Sequence, residues 1–174
     1  MKKIIFIGAG ASSLSAIQKL YRKHSVILID TEIENIQFNE NRVILSKLTI
    51  EYDYLVVGDY SKYNTEKIKR INNIFIKNNL SLTSGKVSPD FHYSVAEFPN
   101  VYFINQAIGL YFRIKPPFDY AISFQLGRFV ANNILHSIKG DKTIQYFRPK
   151  KLNCCRTLVK LYLNDIITKV HTYL

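Results

Sequence analysis

A run of small residues, Gly8-Ala9-Gly10-Ala11-Ser12-Ser13, follows a short apolar stretch at positions 3–7 and opens a segment with helical periodicity. Glycine at the first position permits a tight turn, and Gly10 lets the backbone come close to a pyrophosphate. The third fingerprint position must stay small so that helix and strand can pack, and Ser13 meets that need. The amides of Ala11 and Ser12, with the helix macrodipole behind them, favour phosphate oxygens. Asp30 stands twenty residues after Gly10, where a carboxylate accepts hydrogen bonds from an adenosine ribose. That charge would repel a 2′-phosphate and so argues against NADP. FAD and NAD both remain open on these residues alone.

The elements that must position this set are legible around it. Residues 3–7 have the apolar character of a buried parallel strand. A helix over 12–23 places Leu14, Ile17, Leu20 and Tyr21 on one face, and a second strand over 25–29 ends at Asp30. Short strands are expected at 41–45 and 48–50, then a stronger one within 52–58 that closes on Gly58. Between 59 and 83 the pattern supports one polar helix, with Thr65 as N-cap and Ile68, Ile71 and Phe75 inward. The expected class is α/β with a parallel sheet.

Three segments carry a family resemblance. Tyr52-Asp53-Tyr54-Leu55-Val56-Val57-Gly58 resembles the strand that leaves the β-meander of two-dinucleotide-binding flavoproteins, with the usual Ala-Thr-Gly shortened to Gly58-Asp59. Phe98-Pro99-Asn100-Val101-Tyr102-Phe103-Ile104-Asn105 resembles their late strand, over 98–105, and Ser123-Phe124-Gln125-Leu126-Gly127-Arg128-Phe129-Val130-Ala131-Asn132-Asn133-Ile134 resembles their closing helix, over 123–134. The order covers about residues 1–58 and 84–138. It is similar to pyridine nucleotide-disulfide reductases and type II NADH dehydrogenases. Asn105, Ser123 and Arg128 equally fit the ornithine and lysine N-monooxygenases, and the two branches stay open.

The resemblance implies a Rossmann-like FAD-binding domain over 1–140, with a small β-meander and FAD, rather than NAD, as cofactor. Gly8, Gly10, Ala11, Ser12, Ser13, Asp30 and Gly58 would hold the adenosine and pyrophosphate half. Asn105, Gln106 and Ser123 would face the ribityl chain and flavin. Both branches insert an NAD(P) domain between meander and late strand, and residues 59–83 are too few for one. The implied function is a flavin-dependent oxidoreductase of unknown substrate, drawing electrons from a small molecule or a protein donor. The alternative is a non-enzymatic or degenerate dinucleotide-binding or interaction protein. No catalytic residue is assigned.

Composition sets the outer limits. The chain has 174 residues, 47% hydrophobic and 21% charged, which suits one domain with a real core. The net charge is +11. Residues 141–174 hold seven Lys/Arg against two Asp/Glu and form a basic C-terminal extension. A helix is expected there from Thr157, with Val159, Leu163, Ile166, Ile167 and Val170 on one side and Arg156, Lys160, Asn164 and Lys169 on the other. It would dock on the protein's own core or a second copy, or lie at an anionic membrane surface. Nucleic acid is disfavoured, since no recognition motif accompanies the charge. Cys154 and Cys155 are adjacent, and His24, His92, His136 and His171 are dispersed, so no metal site is expected. Cysteine usage points to the cytoplasm, with a peripheral place at the inner membrane face as a variant.

Overall fold

Every second residue of the apolar strands faces the opposite side of the sheet, and both sides are covered. The computed structural model describes residues 1–58, 71, 73–74, 77, 94–95, 97–104, 120–142 and 172–173. Chain order is β1 (Lys3–Ile7), α1 (Ala11–Leu20), β2 (Ser25–Ile29), β3 (Ile33–Gln37), β4 (Arg42–Leu45), β5 (Thr49–Glu51) and β6 (Tyr54–Val57). These are followed by β7 (Ser94–Val95), β8 (Phe98–Phe103), α2 (Tyr120–Lys139) and β9 (Thr172–Tyr173).

The main sheet runs β7-β8-β6-β1-β2-β9, and a separate antiparallel sheet is formed by β3, β4 and β5. Neighbours in the main sheet are parallel, except for β7 against β8. The chain is therefore α/β with a mostly parallel sheet, as the apolar runs predict. Ile4, Phe6, Val26, Leu28, Val56 and Tyr102 pack against Leu14, Ile17 and Leu20 of α1 and Leu126, Val130 and Ile134 of α2. On the other face, Ile5, Ile7, Ile27, Ile29, Leu55, Val57 and Phe103 meet Ile36, Phe38, Val43 and Ile50 of the small sheet. Helices, parallel sheet and meander form three layers.

Several expected bounds shift. α1 stops at Leu20, because the Lys23 and His24 amides both donate to the Leu20 carbonyl (3.0 and 3.1 Å) and turn the chain toward β2. α2 begins before position 123 and runs past 134 to Lys139. It ends where Gly140 takes a φ of +75°, with the Gly140 and Asp141 amides donating to the carbonyls of Ser137 and His136. Positions 71, 73, 74 and 77 are helical, with Ile71 and Ile74 buried. Thr65, Ile68, Phe75 and the helix expected from Thr157 lie outside the described residues. Thr172–Tyr173, within the basic extension, is a strand rather than helix, laid parallel against Leu28 and Ile29 of β2.

Candidate functional site

The opening βαβ unit sets the residues of the glycine run at the carboxyl edge of the sheet. Gly8 has a φ of +91°, a conformation that glycine adopts without strain. Its amide donates to the Ile29 carbonyl at 3.0 Å, which ties the turn to the end of β2. Gly10 is the N-cap of α1, extended at φ −72° and ψ 171°. No side chain caps this end, and the first turn holds no acid. The first helical bond is donated by the Leu14 amide to the Gly10 carbonyl at 3.0 Å. A bare, uncapped helix start at the carboxyl end of parallel strands is suited to phosphate oxygens.

Ala9, Gly10 and Ala11 are half-buried, whereas Ser12 and Ser13 are wholly buried. Both side chains are shut off from solvent, so a ligand at the turn would meet these serines through their main-chain amides. A Cβ placed on Gly58 would overlap the Ser13 hydroxyl, so the glycine that ends β6 makes room for serine at the third fingerprint position. The Ser13 Oγ is buried with no hydrogen-bond partner. A Cβ on Gly127 would overlap the Ser12 carbonyl, so α2 presses directly on the backbone of α1. The Ser15 hydroxyl donates to the Phe124 carbonyl at 2.6 Å and closes the same junction.

Asp30 directly follows β2, exposed, beside the residue whose carbonyl receives the Gly8 amide. The structure thus brings Gly8, Gly10, Ala11, Ser12, Ser13 and Asp30 to one edge of the sheet, with Gly58 behind Ser13. Ser123 is buried near the start of α2. Asn105 and Gln106 lie outside the described residues. Arg128 is exposed, its guanidinium 5.0 Å from the Phe124 ring centroid and donating to the Gln18 side-chain Oε1 at 3.4 Å.

Other residues turn out to hold the frame. The Asp53 carboxylate accepts from the Lys2 ammonium at 2.8 Å and the Lys3 amide at 2.7 Å. The Lys2 bond, then the Lys3 amide, holds its carboxyl below the ordinary carboxylate value. This pair lies at the amino ends of β1 and β6, away from the glycine turn. The Asn100 side-chain Nδ2 donates to the Asn41 Oδ1 (2.7 Å) and the Asp53 main-chain carbonyl (3.1 Å), joining β8 to the meander. Asn41 itself sits at φ +53°. Sequence reasoning places Gly127 in the closing helix but misses its packing role, although glycine inside a helix, costing about 1 kcal/mol against alanine, is the kind of signal that asks for a packing reason.

A cleft of about 630 Å³ lies between the meander and the main sheet, lined by Lys3, Ile27, Arg42, Leu48 and Glu51 among others. Neither Gly8 nor Asp30 lines it. Its Arg42 guanidinium is bound to Glu40 (2.8 Å) and Glu51 (3.0 Å).

No family model matches this chain, and no curated protein matches it. No group of acidic, His and Cys side chains suited to a metal occurs among the described residues. No described helix is long and apolar enough to cross a membrane.

Proposed function

We propose that the chain is a Rossmann-like dinucleotide-binding protein whose cofactor is FAD. The observation that carries this reading is the joint placement of the Gly8 turn, the uncapped start of α1 and Asp30 at one edge of the parallel sheet. Gly8 to Ser13 would hold the pyrophosphate through main-chain amides, and Asp30 would hold the adenosine ribose. The order of βαβ unit, meander, late strand and closing helix supports FAD over NAD. Ser123, Asn105 and Gln106 are the residues proposed for the ribityl and flavin end. The residues fit such a group: a glycine turn with positive φ, no competing acid in the first turn, and no side-chain cap on the helix start.

The bound flavin would supply the redox chemistry, and the protein would position it and exclude water. Residues 58–93 separate β6 from β7, too few for a second nucleotide domain, so the electron donor would be a separate molecule. That same brevity favours a second reading, in which the chain binds FAD without turning over. Stoichiometric flavin with no reduction by any donor would select it.

Replacing Gly10 tests the assignment. Its φ and ψ are open to any residue, so Gly10→Val strains no backbone angle while placing a branched side chain where the phosphates would sit. The expected result is an unchanged far-UV circular dichroism spectrum with loss of FAD binding in a fluorescence titration. Undiminished binding by this variant would rule out the site.

A further inference from the structure

The strand β9 borders the edge where the adenosine end of the ligand would emerge, and nothing in the sequence resemblance assigns it a role. It pairs in parallel with the last two residues of β2, Thr172 opposite Leu28 and Tyr173 opposite Ile29. Asp30 follows Ile29 directly. The order β1-β2-β9 therefore runs outward from the glycine turn through the ribose acid to the strand at 172–173.

The covalent order of an adenine dinucleotide runs the same way: pyrophosphate, ribose, adenine. With pyrophosphate at Gly8–Ser13 and ribose at Asp30, the base has to continue outward past the carboxyl end of β2. Ligands of open parallel sheets lie across the carboxyl ends of the strands, and beyond β2 the next such end belongs to β9. The meander, which follows β2 in the chain, does not occupy that place, because β3 belongs to the separate sheet. Without β9 the outer edge of β2 would leave unpaired main-chain groups next to the ribose acid.

We propose that the strand at Thr172–Tyr173 forms the outer wall of the adenosine subsite, so that residues far along the chain determine affinity for the adenine half of the ligand. This rests on the dinucleotide reading, but it concerns a separate segment and makes a separate demand. Pyrophosphate alone would sit at the glycine turn and not reach β9. ADP would reach it.

The test compares ADP with inorganic pyrophosphate by calorimetry, on the full chain and two variants. One variant ends at residue 170. The other is full-length Tyr173→Pro, which removes an amide donor from the β9 backbone and disfavours the pairing with β2. Both variants are expected to bind ADP about tenfold or more weakly, a loss of about 1.4 kcal/mol or more, while pyrophosphate affinity stays unchanged. ADP affinity equal to that of the full chain in both variants would overturn the proposal. So would equal weakening of both probes, which marks a general loss of structure. A full chain that binds FAD, with ADP unaffected in the variants, sinks this inference alone; a full chain that binds neither probe sinks the dinucleotide reading with it.

Discussion

Ser13 brings a hydroxyl to a place that asks only for a small side chain, and the fold answers with Gly58 rather than with a hydrogen bond. Burying a hydroxyl without a partner costs about 1–3 kcal/mol. Ser13→Ala is therefore expected to raise the urea unfolding midpoint, or at least not lower it. Gly58→Ala drives a methyl into the Ser13 Oγ and should cost about 1–3 kcal/mol. In the double variant Ser13→Ala, Gly58→Ala most of that loss should return, a coupling readable in a double-mutant cycle. Additive losses would show that the two residues do not share one space. Gly127→Ala meets a backbone carbonyl instead. No trimming of a side chain can relieve it, so it should cost at least as much as Gly58→Ala, and Ser12→Gly should not rescue it.

At the scale of elements, β1 and β6 are joined at their amino ends by Asp53, which receives the Lys2 ammonium and the Lys3 amide. Because the folded carboxyl titrates below its ordinary value of 3.8, the unfolded chain binds the proton first. The contribution is present in full above that value and is lost as pH falls through the lower, folded one. The pair is well exposed, so the effect is small, and Asp53→Asn should flatten the acid limb of a stability–pH curve. His24 acts in the same direction at higher pH. Burial first, then the N-terminal ammonium and Lys23, press its pKa below 6.5, so stability should begin to fall as pH drops through 6.5. A curve for His24→Gln with the same slope between pH 6.5 and 5 as the parent would contradict that assignment.

The buried strands were the legible elements. Ile4, Phe6, Leu28 and Val56 contact helices while Ile5, Ile7, Ile29 and Val57 contact the meander, and only unbroken apolar runs satisfy both. β3 was not read, and a bulge explains why. The register of β3 against β4 shifts between Ile33 and Asn35, which breaks the two-residue alternation that marks a strand. Its buried residues, Ile33 and Ile36, then fall three apart, a spacing as suited to a helix. In the candidate site the glycines and Asp30 were legible from spacing. The serving of Gly58 to Ser13, and of Gly127 to Ser12, was not, since each joins elements far apart in the chain. The roles of Asp53 and Asn100 were hidden for the same reason: both residues lie in the stretches resembling flavoproteins, yet their contacts hold strands together.

Taken whole, the described residues form a mostly parallel sheet with α1 and α2 on one face and a small antiparallel sheet on the other. Its glycine turn and Asp30 lie along one edge, and β9 extends that edge outward. The proposed dinucleotide site lies at that edge, with FAD as its occupant. The most direct test is the visible absorption spectrum of the purified protein, after incubation with FAD and removal of the excess, taken before and after denaturation. Bound flavin is expected at close to one per chain, released on denaturation and identified as FAD. A colourless protein that takes up no FAD would contradict it.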